Sequence, residues 1–196
     1  MKNLIKKSVL GLLLVTATLA NANVNFENIR IFTGNTKSLN LELKNNDGGL
    51  EIFIKDIYGV ELYKEEFNGT KFSKKFDLNL LPDGNYVVEI EGQTKINLLP
   101  FKVTGSKVEV LEMKKEIIYK PIIRIENDLV FVSKFSLNKE QLKIAFYDAN
   151  DNILLEEKLS NDIMQGKIIN ISQLSKGEYR LVAKDSNRRY VHQIVK

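Results

Sequence analysis

Leu50-Glu51-Ile52-Phe53-Ile54-Lys55-Asp56 returns 92 positions later as Leu142-Lys143-Ile144-Ala145-Phe146-Tyr147-Asp148. Working outward, Leu62-Tyr63-Lys64-Glu65 meets Leu154-Leu155-Glu156-Glu157 at the same spacing. One inserted residue then brings Phe76-Asp77-Leu78 onto Ile169-Asn170-Ile171, Leu81 onto Leu174, and Gly84-Asn85-Tyr86 onto Gly177-Glu178-Tyr179. Upstream, Ile29-Arg30-Ile31 is matched to Ile123-Arg124-Ile125. Apolar, turn and tyrosine positions all keep step, so the chain reads as two copies of one domain.

Each copy is β in pattern. Leu39, Leu41 and Leu43 alternate with Asn40 and Glu42, the period of two of a strand with one buried face. Ile52 and Ile54, Ile144 and Phe146, and Tyr86, Val88 and Ile90 repeat it. Turn signals separate these runs: Asn45-Asn46-Asp47-Gly48-Gly49, Asn68-Gly69, Pro82-Asp83-Gly84 and Asp148–Asn152. Short strands at this spacing indicate an all-β fold, two tandem immunoglobulin-like antiparallel β-sandwiches. Val110–Ile118, with its Glu-Met-Lys-Lys-Glu run, is the one stretch where a helix competes, and it reads as a strand or connector at the domain boundary. The expected domains are 23–104 and 105–196.

The first 22 residues read as an export signal: Lys2, Lys6 and Lys7, an apolar run from Val9 to Leu19, and a small-x-small end at Ala20-Asn21-Ala22. The apolar run is shorter than the roughly 20 residues that span a bilayer. These residues account for most of the formal charge of +4. The remainder carries 26 basic and 25 acidic residues, a balance that offers no basic field for nucleic acid. Without cysteine there is no disulfide, thiol nucleophile or lipid-attachment site, so stability must come from the cores.

Catalytic patterns are missing. The one histidine, His192, falls in the last strand pattern, and no serine sits in a Gly-x-Ser-x-Gly elbow. One histidine and no cysteine exclude the common zinc sites. Asp148-Ala149-Asn150-Asp151-Asn152 opens like a calcium loop, yet Ile153 stands where glycine is needed and Leu159 where the bidentate acid belongs. A hairpin turn is the better reading. Glu65-Glu66 and Glu156-Glu157 point to opposite faces of their strands and cannot cooperate as paired acids. No cofactor is implied. Tyr86 and Tyr179, in the repeated Leu-x-x-Gly-x-Tyr pattern, fit the corner tyrosine of immunoglobulin-like sandwiches, whose hydroxyl bonds upstream backbone. Phe53, Tyr58, Tyr63 and Tyr147 are out of core phase or in turns, and are the candidate ligand patch.

Ile144–Asp148, Ile171–Tyr179 and Arg188–Lys196 together resemble the C-terminal sorting domains of the type IX secretion system in Bacteroidota. The resemblance covers about 70 residues, lacks a Pro-Asn-Pro opening, and implies an exported protein in the periplasm, at the outer membrane or outside the cell. Three readings of function follow. The chain is a non-enzymatic binding or structural module for an envelope protein or glycan, or its second domain is a sorting signal, or it is a carbohydrate-binding module.

Overall fold

The computed structural model describes residues 26–44 and 48–196. The expected export signal, and Asn45-Asn46-Asp47 of the first turn, lie outside the described residues. The chain divides into two compact units between Ile118 and Tyr119.

In the first unit a short 3₁₀ turn (Phe26–Asn28) leads into β1 (Ile29–Thr33), β2 (Ser38–Lys44), β3 (Gly49–Asp56), β4 (Glu61–Asn68), β5 (Lys71–Asp77), β6 (Gly84–Glu91) and β7 (Lys95–Thr104). Two short strands follow, β8 (Lys107–Val110) and β9 (Glu116–Tyr119). One sheet runs β1-β2-β5 and the other β4-β3-β6-β7-β8, with β9 also on β7. All pairings with a defined register are antiparallel. Leu39, Leu41 and Leu43 from the first sheet and Ile52, Val88, Ile90, Leu99 and Phe101 from the second are sealed from solvent. Burying each such side chain contributes about 1.5–3 kcal/mol.

The second unit repeats the seven-strand plan with β10 (Ile122–Glu126), β11 (Leu129–Phe135), β12 (Lys143–Tyr147), β13 (Ile153–Lys158), β14 (Met164–Asn170), β15 (Glu178–Lys184) and β16 (Arg189–Val195). Its sheets run β10-β11-β14 and β13-β12-β15-β16. Val130, Val132, Leu142, Ile144, Phe146, Ile169, Leu181 and Ile194 form its core.

Two expectations change. The boundary lies later than Thr104, because the chain reverses through Gly105 at φ +56° and β8 pairs back along β7, Thr104 facing Lys107. The Gly105 amide donates to Asp83 Oδ1 at 2.8 Å, fixing that reversal. Residues 107–118 therefore complete the first unit, with a 3₁₀ turn (Glu112–Lys114) where a helix competed in the sequence. The upstream match also shifts by two residues. Ile31 faces Leu41 as Ile123 faces Val132, so Ile31 and Ile123 are equivalent, and Ile125 corresponds to exposed Thr33. A displacement of two preserves the face each side chain points to, so alternation alone does not resolve it.

The β3–β4 and β12–β13 hairpins agree closely. A bulge falls after Ile54 in one and after Phe146 in the other. Asp56 Oδ1 accepts the amides of Tyr58 and Val60 at 2.9 Å each, and Asp148 Oδ1 those of Asn150 and Asn152 at 2.8 and 2.9 Å. The left-handed position is Gly59 (φ +82°) in the first and Asp151 (φ +62°) in the second.

Candidate functional site

The two tyrosines of the repeated pattern stand at equivalent corners. Tyr86 donates to the Pro82 carbonyl and Tyr179 to the Ser175 carbonyl, each at 2.8 Å and four residues upstream. Their rings stack on Phe101 and Phe146, at 5.5 and 5.6 Å between centroids. Each hydroxyl thus holds its own corner through one donated hydrogen bond.

The four candidate patch residues are divided between the two units, three in the first and Tyr147 in the second, and each has surroundings of its own. Phe53 is only 5% exposed, with the ammonium groups of Lys55 and Lys64 lying 4.3 and 5.4 Å from its ring centre. Tyr63 packs its ring edge-on against Phe76. Its hydroxyl donates to Glu65, which Lys74 also meets at 2.7 Å. Burial and that hydrogen bond raise the Tyr63 hydroxyl above its ordinary pKa, while Lys74 and Tyr63 hold the Glu65 carboxyl below its own. Tyr147 belongs to the second unit, under the Arg180 guanidinium at 4.7 Å. Tyr58 alone is open, 85% exposed at the tip of the β3–β4 hairpin beside Ile57 and Val60.

His192 is exposed on β16, opposite Leu181. Asp148 is occupied by its own turn: the Asn152 side chain and the backbone amides of Asn152 and Asn150 hold its carboxyl below the usual range. Among the described residues no group of three or more His, Cys, Asp or Glu is placed to hold a metal ion. None of their helices is long and apolar enough to cross a membrane.

Sequence reasoning missed a polar cluster inside the second unit. The Lys134 ammonium on β11 meets Asp185 Oδ2 directly, with side chains 3% and 2% exposed. Asp185 Oδ1 accepts the amides of Asn187 and Arg188 at 3.0 and 2.7 Å. Burial pushes the Asp185 carboxyl up, but Lys134 and those two amides outweigh it and hold the pKa below the ordinary value. Beside β11, Gln165 Oε1 accepts the Leu142 amide at 2.8 Å, and its Nε2 donates to the carbonyls of Glu140 and Asp162. The first unit's equivalents are apolar or small. Leu43 pairs with Phe72 as Lys134 pairs with Gln165, and the Gly92–Lys95 turn matches Asp185–Arg188. The signal available in the sequence was phase: Lys134 continues the buried series Val130, Val132.

The outward faces of the two three-stranded sheets also differ. By the same registers Asn40, Lys44, Lys71 and Lys75 of the first unit correspond to Phe131, Phe135, Met164 and Ile168 of the second. Met164 and Ile168 are 64% and 43% exposed, so the second unit presents an apolar sheet face where the first presents a charged one.

Among solved structures, the BSP domain of a biofilm-associated protein is 16% identical, with 85% of this chain and 28% of that one covered at a TM-score of 0.30. The FN1–FN3 domains of chicken CNTN1 are 12% identical, covering 86% of this chain and 65% of theirs at 0.32. A segment of two fibronectin type III domains from chicken tenascin is 8% identical over 86% and 97%, at 0.28. No curated protein matches the chain. The model of the secretion system C-terminal sorting domain matches twice, over residues 35–99 and 126–196, once in each sandwich. Those two matches span most of the sequence, and the chain is a member of the secretion system C-terminal sorting domain family.

Proposed function

We propose that the second unit is the element read by the secretion machinery, and that the first is a non-enzymatic module delivered with it. Membership of the family makes the chain an exported protein. The observation that carries the finer reading is the contrast between the sheet faces. Both units match the family, yet only the second turns Phe131, Phe135, Met164 and Ile168 outward. Phe131 and Phe135 are half-buried, the first under the Arg124 guanidinium at 4.9 Å and the second edge-on to Tyr119 at 4.9 Å, while Met164 and Ile168 stand exposed beside them. Exposed apolar side chains on such a base suit an interaction site.

The occupant is an uncharged, apolar protein surface of the export apparatus. Three strands of up to seven residues offer about 14 by 23 Å, or roughly 330 Å². A standard stable interface buries about 800 Å² on each partner. The face is too small for a lasting dimer and suits a contact that must release its cargo.

The test compares reporters fused to Tyr119–Lys196 and to Phe26–Ile118, expressed in a bacterium with such a system. The first reporter reaches the medium and the second stays in the cell. Equal export, or retention of both, refutes the reading. Intact mass of the native protein then tells whether the second unit is removed on delivery.

The first unit has a surface of its own at the β3–β4 tip, where Ile57, Tyr58 and Val60 are 65%, 85% and 55% exposed. The matching hairpin of the second unit carries Ala149, Asn150 and Asn152. This favours a partner-binding role for the delivered module through that tip. Capture of an envelope protein or glycan by the full chain, lost in Tyr58→Ala, checks it.

A further inference from the structure

Lys134 and Asp185 join the two sheets of the second sandwich across its core. Lys134 stands on β11 of the three-stranded sheet, and Asp185 directly follows β15 of the four-stranded sheet. These are the second and sixth of the unit's seven strands, the two that immunoglobulin domains tie together with a disulfide. A chain without cysteine cannot make that bridge. It places instead an amine and a carboxyl in direct contact, both almost wholly shielded from water.

We propose that Lys134 and Asp185 condense within the folded unit to form an isopeptide bond between Nζ and Cγ. The ion pair is the resting form, and transfer of one ammonium proton to Oδ2 within that direct contact gives the neutral amine and carboxylic acid from which the reaction starts. The Nζ lone pair attacks Cγ, and the carbonyl electrons move onto Oδ1. That oxygen already faces the amides of Asn187 and Arg188 at 3.0 and 2.7 Å, two preorganised donors for the developing negative charge. Nζ then passes a second proton to the Oδ2 hydroxyl, which departs as water. The products are a secondary amide and one water molecule, and no oxidant or external reactant enters.

The contact holds amine and carbon together through the fold itself, so the reaction is unimolecular. The first unit is the internal control, with Leu43 and Gly92 in the equivalent places. One bond per chain is the expectation.

Intact-mass spectrometry on the purified full chain, unfolded in guanidinium, reads the outcome. Condensation makes the protein about 18 Da lighter than its sequence, the mass of one water. Tryptic mapping distinguishes this from dehydration at an Asp-Gly pair such as Asp83-Gly84, because only the isopeptide yields a branched peptide joining the segments that carry residues 134 and 185. Lys134→Arg and Asp185→Ala each restore the full mass. Full sequence mass after prolonged incubation of the folded protein at neutral pH overturns the proposal, as does a loss that maps elsewhere. Mapping of the wild-type chain decides the matter even if neither variant folds.

Discussion

One end of the first sandwich is closed by Leu43, Phe72 and Gly92, and the corresponding end of the second by Lys134, Gln165 and Asp185. The backbone registers are the same, so the fold does not require either solution. What differs is the chemistry that must be satisfied. Phe72 meets Phe67 edge-on at 5.2 Å, and this corner of the first unit is held by apolar contact. In the second, Gln165 bonds the Leu142 amide and two loop carbonyls, while Asp185 fastens the turn to Arg188. A buried polar cluster is stabilising only when every member has its partner. The second unit thus exchanges tolerance to substitution for loops held in fixed positions.

Substitutions that move one unit toward the other test that contrast. Lys134→Leu alone strands the Asp185 carboxylate, and a loss of about 3–5 kcal/mol is expected in denaturant unfolding. Adding Asp185→Gly, the first unit's residue, restores most of that loss. What remains missing is the covalent bond together with the two turn hydrogen bonds that Asp185 accepts. Phe72→Gln puts the second unit's amide among the first unit's leucines with no carbonyls arranged to receive it, and costs about 3–5 kcal/mol. Gln165→Leu leaves the Leu142 amide unpaired in the interior and costs about 1–3 kcal/mol. Tyr86→Phe and Tyr179→Phe each remove one corner hydrogen bond, for about 1 kcal/mol apiece. Unequal losses would show that the corners are not equivalent. Ile168→Lys, the residue of the first unit's face, should change stability by less than about 0.5 kcal/mol while abolishing export of the full chain.

Much of the architecture was legible because alternation and turn chemistry are local. Leu39-Asn40-Leu41-Glu42-Leu43 declares a strand and its buried side without reference to anything distant. The Asp56 and Asp148 turns were readable for the same reason, since each aspartate bonds amides two and four residues along. Which strand lies beside which is a non-local fact. Val108 and Val110 alternate as clearly as their neighbours, but nothing in them says that they pair back onto Phe101–Thr104, so local pattern alone puts the boundary before them. The two-residue slip between Ile29 and Ile31 has a related cause, because alternation fixes a face and leaves the position along the strand open.

The site was less legible than the fold. Phase puts Phe53 on the side of its strand away from Ile52 and Ile54, and that is where it stands; the stems of Lys55 and Lys64 cover it, which residue type alone does not reveal. Lys134 and Asp185 were hidden by the opposite assumption, that charged residues in a strand face water. Aligning the repeats by cross-strand register exposes them at once, as it does the replacement of Lys71 and Lys75 by Met164 and Ile168.

The pairings between sheet neighbours have a kinetic consequence. β2 finds β5, and β12 finds β15, only across some thirty intervening residues. Such topologies fold in milliseconds to seconds, far more slowly than helical bundles, because distant segments must meet before contacts reward the encounter. Slow completion prolongs the interval in which the new polypeptide is still extended and open to other partners. The same strand order that makes the finished sandwiches durable also delays their completion.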